Sequence, residues 1–339
     1  MELIAIPSVS RSEDQAADKL SEYLDRWNLP HGREGNNLWV GCQDWDNNRK
    51  TVMLNAHIDT VKPTGSWQRD PFRPMLDGDR IYGLGSNDCG GGLVATLQAY
   101  RILLNRNRNF NILWLASAEE EVSGENGLRR VLPLMPPIDV AIVGEPTGMQ
   151  PATAERGLMV IDGYAHGVSG HAAREEGVNA IYEALADIDW FRSYRFPRVS
   201  EFLGPVKMSV TMISAGTQHN VVPERCDFVV DVRPNGMYSN PELLELIKAS
   251  VSCEVKERST RIGSSHLPME HPVVVRGLSL GLRPFGSPTT SNQALCPFPT
   301  LKIGPGDSAR SHGPDEFIGL DEISDGVKTY ISLLDGLEL

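Results

Sequence analysis

Acids and imidazoles recur in this chain just past apolar runs of strand length. His57-Ile58-Asp59 follows the run at 51–55, Glu119-Glu120-Glu121 follows 111–116, and Glu145, in Gly-Glu-Pro-Thr, follows 140–143. Taken singly, each has an ordinary reading as a solvated strand end, a charged face or the start of a turn. Their occurrence in order, at the same end of three strands, is hard to explain by packing. In an open α/β sheet, ligands bind in the crevice beyond the carboxyl ends of the strands. Burying unpaired carboxylates there costs several kcal/mol each, so a cation is expected among them.

The elements that must hold these residues can be read from periodicity. Ser12 and Gln15 form a capping-box pattern ahead of Ala16, Leu20, Tyr23, Leu24 and Trp27, which recur at helical spacing. Between the first two apolar runs, residues 91–104 read as a helix after a glycine-rich bend. Strands alternating with helices predict a mainly parallel sheet covered on both faces. The character changes near Arg156. Strand-like segments at 158–167, 206–213 and 226–232 alternate with helices at 178–191 and 241–250. This predicts an inserted α+β unit at 157–262, with residues 1–156 and 263–339 forming the larger α/β domain and a last helix at 320–334.

Composition narrows the classes of function. With 40% hydrophobic and 22% charged residues among 339, the chain is globular and buries a sizeable core. Its net charge of −12 argues against nucleic-acid or anionic-membrane partners, which need a basic face. The start, MELIAIPSVSRSEDQ, lacks the features of a signal peptide, and no window nears the ~18 apolar residues of a membrane span. Cys42, Cys89, Cys226, Cys253 and Cys296 are scattered and never form a C-x-x-C pair. Reduced thiols in a cytoplasmic setting fit best, and any metal falls to His and carboxylate.

Between the first two clusters lie Asp70-Pro71-Phe72, Asp77-Gly78 and the run Tyr82-Gly83-Leu84-Gly85-Ser86-Asn87-Asp88-Cys89-Gly90-Gly91. A dinucleotide-binding loop is a poor reading of Gly83-x-Gly85, because Asp88 stands where the third glycine belongs. Together with His57-x-Asp59, the acid run, Gly-Glu-Pro-Thr and the late Ser311-His312-Gly313-Pro314-Asp315-Glu316, this segment carries a resemblance over essentially the whole length. The chain resembles the metallopeptidase family of acetylornithine deacetylase, succinyl-diaminopimelate desuccinylase, aminoacylase and carboxypeptidase G.

That resemblance implies a zinc-peptidase-like catalytic domain with an inserted ferredoxin-like lid and dimerisation domain. It implies two zinc ions, with cobalt or manganese also feasible. His57 and Glu145 would bind one, Glu121 and His312 the other, and Asp88 would bridge them. Asp59 would accept the second ring N–H of His57, and Glu120 would be the general base. In the inserted unit, His171 matches the lid histidine that polarises the oxyanion, while Asn220 and Arg233 match residues for the oxyanion and the substrate carboxylate. The partner would be a small N-acyl amino acid, and the protein a homodimer through the lid.

The late segment from Gly304 to Phe317 resembles the acetylornithine deacetylase branch more than the desuccinylase branch. The implied reaction removes an acetyl or succinyl group from ornithine, citrulline or a similar amino acid, in arginine biosynthesis. A desuccinylase or dipeptidase of the same family is the nearest alternative, and a metal-binding scaffold without catalysis lies outside that class. Three departures bear on this. Leu84 stands where relatives usually have Arg, Cys89-Gly90 where they have Met-Lys, and Asn292 where many have the acid of Thr-Ser-Asp. The missing acid at Asn292 would weaken selectivity for a cationic side chain.

Overall fold

Apolar runs able to bury both faces become the central strands Lys50–His57, Phe110–Ser117 and Val140–Val143. The structure, a computed structural model, describes residues 1–174 and 176–339. Lys50–His57 lies in the middle, parallel to both of the others, and Thr300–Lys302 extends the sheet parallel to Val140–Val143. Asn37–Gly41 runs antiparallel along the far side of Phe110–Ser117.

Successive side chains of a strand point to opposite faces, so a sheet covered on both sides needs apolar residues at nearly every position. Val52, Leu54, Ala56, Ile112, Trp114, Ala116, Val140 and Ile142 enter one core. Leu20 and Leu24 of the helix Asp14–Arg26, Leu97 and Tyr100 of Gly92–Leu103, and Tyr330 and Leu333 of Leu320–Leu334 cover it. The alternate residues Met53, Leu113, Leu115 and Ala141 enter a second core with Leu128 and Val131. Gly92 lets the second helix start close against the sheet, since a Cβ there would lie 1.7 Å from the Gly144 carbonyl oxygen.

The first helix is not opened by the capping box expected of Ser12. It begins at Asp14 with Glu13 as its N-cap and no side-chain cap. The Glu13 carboxylate is engaged elsewhere, accepting from the backbone N–H groups of Arg11 and Glu119 and from Asn36 Nδ2.

The chain divides into two units, Met1–Thr153, His266–Phe285 and Ser291–Leu339 in the first and Ala154–Ser265 and Gly286–Thr290 in the second. The second unit is a four-stranded antiparallel sheet in the order Lys207–Ala215, Arg225–Arg233, Leu158–His166, Glu254–Ile262. With the helices Ala180–Ser193 and Asn240–Lys248 it has the βαββαβ order of a ferredoxin-like fold. Met159, Ile161 and Ala165 alternate with partly exposed residues and pack with Phe191, Phe228, Val230 and Leu243. The whole is α/β with a mainly parallel central sheet and further antiparallel sheets, as the sequence predicts.

Leu54 is fully buried in the middle of the central strand. Leu54→Ala is expected to cost about 2–5 kcal/mol through lost transfer energy and the cavity left behind. Denaturant unfolding should show a lower midpoint with an unchanged slope; an unchanged midpoint would mean that the core closes up without cost.

Candidate metal centre

The three central strands end at one edge, and their acids and imidazole meet a fourth segment there. His57 is the last residue of its strand. Its Nε2 lies 3.1 Å from Asp88 Oδ1 and 3.6 Å from Glu145 Oε1. The other oxygen of the same carboxylate, Asp88 Oδ2, lies 3.6 Å from His312 Nε2, which is 2.9 Å from Glu121 Oε2. Two donor sets result, His57 with Asp88, Cys89 and Glu145, and Asp88 with Glu121 and His312, each with its ligand atoms within 4.8 Å of one another. Asp88 belongs to both. Cys89 was not expected in such a set, but its S–H donates to the Gly144 carbonyl at 3.0 Å and burial pushes its pKa well up.

Second contacts fix the orientation of these groups. His57 Nδ1–H donates to the backbone carbonyl of Asp59 at 2.9 Å, which leaves Nε2 as the free ligand atom. The Asp59 carboxylate, expected to take that N–H, stands 3.4 Å away and is committed to the acid loop. It accepts from the backbone N–H groups of Glu120 and Glu121 at 3.0 and 3.1 Å, and from Ser10 Oγ at 2.7 Å. These bonds place the two acids side by side.

The three consecutive acids have three different surroundings. Glu119 is buried at a φ of 52°, a left-handed conformation that costs on the order of 1–3 kcal/mol. Its carboxylate accepts from Asn126 N and Nδ2, which holds it away from the donor sets. Glu121 meets His312. Glu120 is in neither set; burial above all, and then the charge of Glu145, push its pKa well above the carboxylate range.

The donors are nitrogen and oxygen atoms suited to divalent zinc, cobalt or manganese. Glu145 Oε1 is buried without a hydrogen-bond partner. Burial raises the Glu145 pKa to about 7, with Asp88 and Glu121 adding to the shift and His57 and Lys302 opposing it. A buried, unpartnered oxygen among crowded acids is what a pair of cations sharing Asp88 would satisfy, so the residues fit two metal ions.

The profile of peptidase family M20/M25/M40 matches residues 53–336. The chain belongs to that family. It is accordingly a hydrolase acting on amide bonds. The acetylornithine deacetylase of Klebsiella pneumoniae is 30% identical over 354 residues, covering 93% of this chain and 91% of its own length. That of Edwardsiella ictaluri is 29% identical over 360 residues, covering 95% and 92%. Among solved structures, aminopeptidase PepT from Bacillus cereus superposes with a TM-score of 0.78 at 16% identity, over 99% of this chain and 96% of its own. YXEP of Bacillus subtilis, a dinuclear metal-binding peptidase of the M20 family, gives 0.73 at 15%, over 98% and 94%. These two likenesses show the shared fold.

Other residues of the M20 expectation lie in the second unit. A short antiparallel pair, Gly170–His171 with Val221–Val222, brings His171 and Asn220 near one another, and both are exposed. His171 Nδ1 accepts from Ala173 N–H, and the Asn220 carbonyl accepts from Ala172 N–H. Arg233 Nε and Nη2 donate to the two oxygens of Asp231 at 2.7 and 3.0 Å, and Nη1 reaches Thr290 Oγ1 at 3.4 Å. Asn292 is 1% exposed, its Nδ2 donates to Asn55 Oδ1 and Ser117 Oγ within the first unit, and its Oδ1 is buried without a hydrogen-bond partner. Among the described residues, no helix is long and apolar enough to cross a membrane.

The raised pKa values give the metal-free protein a pH signature. Glu145 rises from 4.5 to about 7 and His312, held by Glu121, from 6.5 to about 9. Each raised value contributes stability that is fully present below the unfolded pKa and lost as pH climbs through the folded one. Asp59 and Asp88 are shifted down and act only in acid. The thermal midpoint of chelator-treated protein should therefore fall from about pH 5 to about pH 9. Added zinc should remove most of that fall, because it binds the deprotonated ligands. A chelated protein with a flat or rising midpoint would contradict this assignment of charges.

Proposed function

We propose that the protein hydrolyses the amide bond of an N-acylated ornithine, citrulline or similar amino acid, acting in arginine biosynthesis, with Glu120 as general base. The observation that carries the chemistry is the Asp88 carboxylate shared between His57 and His312, with Glu120 beside both donor sets and in neither. The full-length similarity to acetylornithine deacetylases supports the substrate class, and it favours acetyl as the acyl group.

In this reading His57, Glu145 and Asp88 hold one metal, and Asp88, Glu121 and His312 the other. Bound there, two divalent ions would polarise the scissile carbonyl and ease proton loss from the attacking water. Glu120 takes that proton and returns it to the departing amine nitrogen. Burial suits Glu120 to this task, because its raised pKa brings it nearer the operating pH. The backbone bonds from Glu120 and Glu121 to Asp59 hold the base and a metal ligand at a fixed spacing.

His171 and Asn220 are proposed to stabilise the oxyanion, and Arg233 to bind the substrate carboxylate with Asp231 fixing its plane. The second unit is proposed as lid and dimerisation domain. Its edge strand Lys207–Ala215 exposes Met212 and Ile213, and the helix Ala180–Ser193, which packs against that strand, exposes Tyr182 and Leu185. An apolar edge of this kind is a template for pairing with another strand.

The test is amine release by zinc-loaded protein from N-acetylornithine, N-succinylornithine, N-acetylcitrulline, N-succinylcitrulline, succinyl-diaminopimelate and a dipeptide. One of the ornithine or citrulline derivatives is expected to be preferred, and a chelator should abolish the activity. Preference for the dipeptide or the diaminopimelate derivative would overturn the substrate. Glu120→Ala should keep the metal content and lose about 10²–10⁴-fold in kcat. Near-normal turnover in that variant would remove Glu120 from its role.

A further inference from the structure

The late Pro-Asp-Glu motif has no part in the chemistry above, yet its acid is buried against the metal centre. Glu316 is 2% exposed. Its Oε1 accepts from the backbone N–H groups of Asn87 and Asp88 at 2.8 and 2.9 Å, and its Oε2 from Gly85 N–H at 3.2 Å. Three donors from one turn converge on a single carboxylate. Its own backbone is anchored as well: its carbonyl accepts from Gly83 N–H, and the strand Phe317–Gly319 that follows pairs with Arg80–Tyr82. The preceding Asp315 accepts from Gln68 and Arg69 N–H, so two consecutive acids clasp two early loops.

Asn87 completes the connection. Its Nδ2 donates to the Asp307 carbonyl and to Ser311 Oγ, and its Oδ1 accepts from Asp307 N–H. Gly306, at a φ of 89°, makes room, since a Cβ there would stand 2.3 Å from Asn87 Oδ1. Ser311 precedes His312. The segment bearing Asp88 is thus tied directly to the segment bearing His312, more than 200 residues later in the chain.

We propose that Glu316 is a positioning residue: with Asn87 it holds the Asp88 carboxylate and His312 in one rigid arrangement, so that the two metal positions are filled as a coupled pair. This rests on the two-metal reading above. Carboxylates that orient metal ligands typically matter 10–100-fold in metal affinity when removed. A Glu316→Gln side chain keeps the size but turns an N–H₂ toward N–H donors, which disturbs the turn without leaving a cavity.

The experiment is electron paramagnetic resonance and metal titration of manganese-loaded protein. Wild type should bind two ions and show an exchange-coupled pair. Folded Glu316→Gln, checked by circular dichroism, should bind about 10–100-fold more weakly and lose the coupled signal. A variant with wild-type affinity and an intact coupled spectrum would overturn the proposal, as would one that loses only thermal stability. If Glu316→Gln does not fold, Asn87→Ala is read in the same way, and a coupled spectrum at wild-type affinity there would equally overturn it. A wild type that binds no coupled pair would instead defeat the two-metal reading on which the proposal stands.

Discussion

Carboxylates crowded at the end of a sheet repel one another and resist burial, and the rest of this structure is arranged around that constraint. Asp88, Glu120, Glu121 and Glu145 converge with two imidazoles at one strand edge. Without cations the cost shows as raised pKa values and as an orphaned oxygen on Glu145. A second layer of acids, each facing backbone N–H groups, fixes the loops that carry these residues. Asp59 receives two from the acid loop, Glu316 three from the Asp88 turn, and Glu119 and Glu13 brace the approach to Glu120. An anion that accepts several backbone donors is held in place, and here it holds a neighbouring ligand in turn.

The parallel sheet supplies the stiffness that such an arrangement needs. Its strands are buried on both faces, so their ends cannot shift without opening one core or the other. The close start of the helix at Gly92 sets the Asp88 turn against the strand end bearing Glu145. The tie between Asn87 and the Asp307–Ser311 segment then brings in a late histidine. The arrangement of the proposed site thus follows from packing through short connections to the sheet.

Much of this is legible in the sequence because burial leaves a coarse mark. The central strands are continuous apolar runs, and the acids at their ends stand where strand polarity places ligands. The five helices, and three of the four strands of the inserted unit, follow from the spacing of apolar residues. What is not legible has a physical reason in each case. Glu254–Ile262 reads EVKERSTRI, with too few apolar residues to mark an edge strand. Thr300–Lys302 is too short to show a period. A carboxylate looks the same in sequence whether it binds a metal, as proposed for Glu121, or a row of N–H groups, as does Glu316. The hydrogen bond from His57 Nδ1–H to the Asp59 carbonyl leaves no trace in residue type, because every residue has a carbonyl.

In the function proposed here, two cations sharing Asp88 hold the strand-edge acids together. Anomalous diffraction from zinc-soaked crystals, recorded on either side of the zinc absorption edge, tests it most directly. Two peaks are expected, one among His57, Asp88 and Glu145 and one among Asp88, Glu121 and His312. A single peak away from Asp88, or none with the acids still converged, would contradict the account.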